Sequence, residues 1–204
     1  MIEIYNILDV EKHLVNIDAV IFDLDDTLYS EKSYIRSGYE AIANQFTDVN
    51  NMADKLWKAF LDGKPAIDEV LNNEGLSNYK ELALSIYRLH IPNIKLYDGV
   101  AEMIERLRQR MKVGIITDGR PEGQRAKLKA LGLIVDEIII TDELGGIEYR
   151  KPNDMAFRLR KERMRVPFKK MVYIVDNPNK DFIAPKMLGM EWIYFNNPDG
   201  LYSR

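Results

Sequence analysis

The stretch AVIFDLDDTLY, Ala19–Tyr29, opens as an unbroken apolar run and then sets three carboxylates within four residues. A short, continuous apolar run without alternation reads as a strand buried on both faces. Ending it on Asp23, Asp25 and Asp26 brings like charges together. Repulsion and desolvation make that costly unless a cation or a reacting group sits there. A solvated turn is the alternative, because Asp favours turns. The rest of the chain decides between the two.

Outward from this stretch, apolar runs recur at VGIIT (113–117), EIIIT (137–141), MVYIV (171–175) and EWIYF (191–195). Helical patterns separate them. GVAEMIERLRQRM places Val100, Met103, Ile104, Leu107 and Met111 on one face, and PEGQRAKLKALG starts at Pro121 and stops at Gly132. NDMAFRLRKERM and DFIAPKMLGM fill the remaining gaps, with Pro185 limiting or kinking the second. This alternation predicts an α/β fold with a doubly wound parallel sheet.

Residues 31–92 break the pattern with helical faces and no strand. Tyr34, Ile35, Tyr39, Ile42 and Phe46 form one face, and Met52, Ala53, Leu56, Trp57, Phe60 and Leu61 another. Ile67, Val70 and Leu71 precede Gly75, and Leu82, Ala83, Ile86, Tyr87 and Leu89 precede Pro92. The expected organisation is a core of residues 1–30 and 93–204 with a small inserted α-helical module at 31–92. Modules inserted above a sheet's C-terminal edge often close over ligands, which makes this one a candidate cap.

Composition narrows the function. The 204 residues suffice for one substantial core and a smaller module, and 46% hydrophobic with 30% charged residues is ordinary for a soluble chain. A net charge of −3 argues against a nucleic-acid partner. The absence of cysteine excludes disulfides, thiolate nucleophiles and cysteine-ligated zinc. Glu3, Asp9, Glu11 and Lys12 interrupt the N-terminal stretch, which therefore does not read as a signal peptide, and no run reaches membrane-spanning length. A cytoplasmic enzyme without a membrane partner is expected. His13 and His90 stand in no metal-ligand spacing and read as surface or satisfied residues.

Ligands of doubly wound sheets bind beyond the carboxyl ends of the strands. In this chain those ends carry Asp23, Asp25, Asp26 and Thr27, then Thr117 and Asp118, then Asp176 and Asp181, with Lys151-Pro152 before the next helix. Four segments thus deliver carboxylates, a hydroxyl and a lysine to one edge, and a separate solvated turn for each is a poor explanation. Mg²⁺ commonly takes one or two carboxylates plus phosphate oxygens, which Asp23 and Asp176 can supply. A carboxylate can also attack phosphorus, while Thr117 and Lys151 stabilise phosphoryl charge. A second carboxyl two residues on can act as acid and then as base.

Taken together these segments resemble the haloacid dehalogenase-like hydrolases. The family's four motifs occur in order as Asp23-Leu-Asp25-Asp26-Thr27-Leu28, Thr117, Lys151-Pro152, and Asp176-Asn-Pro-Asn-Lys-Asp181. The resemblance implies a Rossmann-like core with a helical cap between the first and second motifs. It further implies Asp23 as nucleophile and magnesium ligand, and Asp25 as acid/base that gives its backbone carbonyl to the metal. Asp176 would be a direct metal ligand, and Asp181 would act directly or through water. Thr117, Lys151 and the backbone amide of Asp118 would bind the substrate phosphate, with Lys151 also steadying Asp23. Asp118 stands where the family usually has Asn, and Val175 where a Gly often precedes the fourth-motif acid. The extra charge of Asp118 could favour a substrate bearing a positive group.

Family members that cleave carbon–halogen or phosphonate bonds lack the second acid, so Asp25 argues for a phosphate ester. The resemblance therefore implies a Mg²⁺-dependent phosphatase for a small phosphorylated metabolite, acting through an aspartyl-phosphate. A phosphomutase sharing the same motifs and a non-catalytic scaffold are the alternatives.

Overall fold

Phe22 is the last residue of a four-residue strand with no exposed member, flanked by one fully buried strand and by another that is exposed only at its first residue, Lys112. The computed structural model describes residues 2–201. Its strands are β1 (Ile2–Ile4), β2 (Ala19–Phe22), β3 (Lys112–Thr117), β4 (Glu137–Ile140), β5 (Met171–Val175) and β6 (Glu191–Phe195). They form one sheet in the order β1-β6-β5-β2-β3-β4, with every pairing parallel. The chain builds outward from β2 through β3 to β4, then returns to lay β5 and β6 on the other side. Between β2 and β5 the winding reverses, and such a switch point is where open α/β sheets hold ligands.

The continuous apolar runs are the strands, with two differences. β4 stops at Ile140, and Thr141 begins a 3₁₀ turn that extends to Leu144. The edge strand β1 has no counterpart among the expected runs: it is three residues long, and its middle residue, Glu3, is exposed.

The inserted helices are α1 (Glu31–Gln45), α2 (Met52–Leu61), α3 (Ala66–Asn73) and α4 (Lys80–Leu89), with Glu31, the first residue of α1, still part of the α/β unit. The residues divide into two compact units, Lys32–Ile94 and the remainder, Met1–Glu31 with Lys95–Arg204. Residue 1 and residues 202–204, which the expected core includes, lie outside the described residues. Within the helical unit aromatic rings join the aliphatic interior of Ile42, Leu56 and Leu71. Tyr34 and Tyr39 of α1 meet the Tyr87 ring of α4 at 5.9 Å each, and Tyr39 reaches Phe60 of α2 at 6.5 Å.

Four helices flank the sheet strands: α5 (Val100–Arg108), α6 (Pro121–Leu131), α7 (Met155–Met164) and α8 (Ile183–Met187). Pro121 is at the first turn of α6, where its missing N–H costs nothing, and Gly132 ends the helix at φ 61°. Met111, expected on the face of α5, lies beyond that helix, because the amides of Arg110 and Met111 both turn back to the Leu107 carbonyl. In α8, Pro185 is tolerated because it falls in the first turn, whose amides lack helical partners anyway. The packed interior includes Ile21, Phe157 and Tyr173, with the last two edge-to-face at 5.0 Å. No helix among the described residues is long and apolar enough to cross a membrane.

Candidate active site

Parallel pairing sets the site. Phe22 is in register with Ile115 and with Ile174, and the Asp23 amide continues the ladder to the Ile174 carbonyl at 2.9 Å. Extended by that register, Thr117 and Asp176 lie one residue beyond the level of Asp23, so the three emerge from adjacent strands at nearly the same height. They line a cavity of about 130 Å³ together with Asp25, Glu31, Asp118, Lys151, Asn177, Lys180 and Asp181. All the expected site residues are brought together there: Asp23, Asp25, Thr117, Asp118, Lys151, Asp176 and Asp181. Every residue lining the cavity belongs to the α/β unit.

Lys151 is the hub. Its Nζ donates to Asp23 Oδ1 at 2.8 Å and to the Tyr173 hydroxyl at 3.0 Å, and it stands 3.3 Å from Asp181 Oδ1 without a hydrogen bond. Burial opposes the lysine's charge, yet Asp181 and Asp23 hold its pKa well above the ordinary value. The acids outnumber it. Burial pushes Asp23 up to about 7 against the pull of Lys151, and burial with the Asp23 charge pushes Asp176 up to about 9. Glu31, also affected first by burial and then by Asp25, rises to about 8. Six carboxyl groups line the cavity against the two lysines Lys151 and Lys180, so it is short of positive charge.

Three buried atoms in it have no hydrogen-bond partner: Thr117 Oγ1, Asp176 Oδ2 and Asp181 Oδ1. The other Asp176 oxygen accepts from Thr27 Oγ1 at 3.2 Å. Two orphaned hard oxygens in an acid-rich cavity suit Mg²⁺, and the orphaned hydroxyl suits an anion beside it. The described residues offer no complete cage of three or more His, Cys, Asp or Glu side chains.

Two of the acids are held by protein donors. The Asp25 carboxylate accepts from three: Lys127 Nζ at 2.7 Å, Gln124 Nε2 at 3.0 Å, and the Tyr29 hydroxyl. Burial would raise its pKa, but the Lys127 charge and these hydrogen bonds outweigh burial and hold it below the ordinary value. The Asp118 carboxylate, expected to leave an excess charge near the phosphate, is consumed by protein contacts. Thr141 Oγ1 donates to it at 3.0 Å, the Lys151 amide at 3.1 Å, and Lys180 Nζ at 2.6 Å. This compensated charge gives no reason to expect a cationic substrate.

Asp26 builds the turn. It sits at φ 51° and is 1% exposed. Its two carboxylate oxygens accept the amides of Glu31 at 2.8 Å and Leu201 at 2.7 Å.

Residues 17–189 match the haloacid dehalogenase-like hydrolase family. The chain belongs to that family. The glyceraldehyde 3-phosphate phosphatase of Methanocaldococcus jannaschii is 27% identical to this hydrolase, over 85% of this chain and 82% of its own. Among solved structures, a subfamily IA HAD-superfamily hydrolase of Geobacter sulfurreducens superposes with a TM-score of 0.70 at 14% identity. It covers 90% of this chain and 89% of its own. The HAD-hydrolase YfnB of Bacillus subtilis, solved bound to magnesium, gives 0.67 at 19% identity, over 88% and 87% of the two chains. At these identities the two structures establish a shared fold.

Sequence reasoning missed Gln124, Lys127, Lys180, Tyr173 and Glu31 as parts of the site. A signal for the first two is the buried face of α6, Gln124, Lys127, Leu128 and Leu131, which carries two polar residues where aliphatic ones are usual.

Proposed function

We propose that this hydrolase is a Mg²⁺-dependent phosphatase of small phosphorylated metabolites, working through an aspartyl-phosphate on Asp23. The observation that carries the reading is the pairing of two differently held carboxylates in one cavity. Asp23 is steadied by Lys151, and Asp25, two residues on, sits in its own hydrogen-bonding frame. A nucleophile and a separate proton carrier are what a phosphate ester with a poor leaving group requires.

In the first step an Asp23 oxygen bonds to phosphorus while the phosphorus–ester bond breaks. The departing oxygen keeps the electron pair and takes a proton from Asp25. In the second step Asp25 removes a proton from water, the water oxygen attacks the aspartyl-phosphate, and inorganic phosphate leaves as Asp23 is restored. A bound phosphate dianion adds negative charge beside Asp25 and raises its affinity for the proton it must carry. Thr117 Oγ1 and the Asp118 amide donate to phosphoryl oxygens, and Lys151 stays protonated to offset their charge. Asp23 and Asp176 would hold Mg²⁺, with the Asp25 carbonyl and Asp181 completing its protein contacts; when bound it neutralises charge on the transferring phosphoryl group. The inserted helical unit is proposed as the cap on which substrate selection rests, since the chemical groups all belong to the α/β unit.

The test is phosphate release from p-nitrophenyl phosphate and a panel of phosphorylated metabolites, with Mg²⁺ and with excess chelator. Release that requires the metal and vanishes in Asp23→Asn is expected. Full activity under chelation, or an active Asp23→Asn protein, overturns the reading.

A further inference from the structure

We infer that Lys127 is a positioning residue for proton transfer, clamping Asp25 so that a single acceptor position on its carboxylate faces the leaving oxygen. This rests on the phosphatase reading above and concerns how its proton carrier is aimed.

The clamp comes from α6, the helix that follows the Thr117 loop. Gln124 and Lys127 lie one turn apart on its buried face, 3% and 6% exposed. Lys127 Nζ donates to Asp25 Oδ1, which also accepts from the Tyr29 hydroxyl. Gln124 Nε2 donates to Asp25 Oδ2 and, at 2.5 Å, to the Asp118 carbonyl. Gln124 thereby ties the proton carrier to the loop proposed to bind phosphate.

An ionised carboxylate offers about four acceptor positions, two on each oxygen. The three donors fill both on Oδ1 and one on Oδ2. One position on Oδ2 is left. That is where the proton resides before it passes to the ester oxygen, and where the proton from water arrives in the second step.

Asp25 lines the cavity, whereas Tyr29, Gln124 and Lys127 are not among its lining residues. The three donors therefore reach the substrate through the lining residues they hold, Asp25 foremost. Simple core packing does not account for the arrangement, since burying a lysine costs desolvation that a methionine of similar length avoids.

The experiment compares kcat/KM, which reports the steps through formation of the phosphoenzyme, on two substrates. Glycerol 2-phosphate loses an alkoxide that needs a proton, and p-nitrophenyl phosphate loses a weakly basic phenolate that does not. Lys127→Met is expected to lower kcat/KM by about 10²-fold on the alkyl ester, the usual scale for a group displaced by an ångström, and far less on the aryl ester. In an Asp25→Asn background the same change adds no further loss on the alkyl ester, because the proton carrier that Lys127 positions is already gone. Tyr29→Phe, which removes one donor and no charge, gives the same bias at smaller size and serves if Lys127→Met does not fold.

Equal losses on both esters, or additive losses in the Asp25→Asn background, overturn the clamp and leave Lys127 a structural residue. If Asp25→Asn itself shows no bias between the esters, the acid/base assignment falls and the clamp falls with it, which tells the two failures apart.

Discussion

Both units carry exposed ion pairs, but they differ in the charge they bury. In the helical unit acids and bases meet in exposed or half-exposed pairs, such as Arg36 with Asp54 at 2.7 Å, Lys55 with Glu74 at 2.6 Å and Lys80 with Asp68 at 2.8 Å. Each of these acids has a cation beside it, Arg36 also reaching Glu40 at 3.4 Å, and solvent screens the pairs to small energies. In the α/β unit the Lys151 side chain is 2% exposed and lies against Asp23 and Asp181, whose side chains are 10% and 1% exposed. There the acids exceed the base, and some oxygens stay unpartnered. Matched surface charge is ordinary solubility. Mismatched buried charge is maintained against a desolvation cost, which marks where the reaction takes place.

The largest break in this contrast is Lys151→Met. Removing the hub leaves Asp23 and Asp181 buried without their shared cation, and breaking a buried pair from one side costs about 3–5 kcal/mol. Stability in urea should fall by about that amount, and turnover should end even in the folded fraction. A Lys151→Met protein with wild-type stability would show that the acids find compensation elsewhere.

The same contrast governs what the sequence made legible. β2 and β5 were readable because strands buried on both faces must be apolar throughout, and AVIF and MVYIV are the observed strands residue for residue. β1 was not, because an edge strand of three residues around an exposed Glu3 carries no such run. The residues that reach the cavity directly from strand ends, Asp23, Thr117 and Asp176, were legible from their place after apolar runs. Lys127 and Lys180 were not, because a lysine inside a helix or a loop reads as solvated surface. Only the fold shows that Asp25 and Asp118 lie 2.7 Å and 2.6 Å from them. Asp118 illustrates the cost: an extra charge by sequence proved to be half of an ion pair.

A smaller effect is expected from volume in the helical unit. A Cβ added at Gly38 would lie 2.5 Å from two ring carbons of Tyr87. Gly38→Ala gains about 1 kcal/mol of helix propensity, while overpacking costs about 1–3 kcal/mol. The net should be a mild loss of stability, seen as a melting temperature a few degrees lower. Hydrolysis of p-nitrophenyl phosphate should persist, since the groups that line the cavity belong to the other unit. A Gly38→Ala protein that folds yet loses turnover as completely as Lys151→Met would erase the division between the units.

The smallest effect, and the one that sharpens the comparison most, belongs to Asp118→Asn. Burial opposes the Asp118 charge, but Lys151 and then Lys180 outweigh it, so the folded protein holds this carboxyl below its ordinary value. A depressed folded pKa means that the native state favours the anion. Its contribution to stability is thus complete above the unfolded pKa, about 4, and is lost as pH falls through the folded value. Asn keeps an acceptor for Thr141 and the Lys151 amide but gives Lys180 no charge to pair with. Because Lys180 is 39% exposed, water takes over much of that interaction, and the loss at neutral pH should be only about 1 kcal/mol. Urea titrations of both proteins between pH 7 and pH 3 should show the gap widest at pH 7 and closing below about pH 4. A gap that is constant across that range would mean that Asp118 acts through shape alone, and that its charge is not what binds the loop after β3 to Lys180.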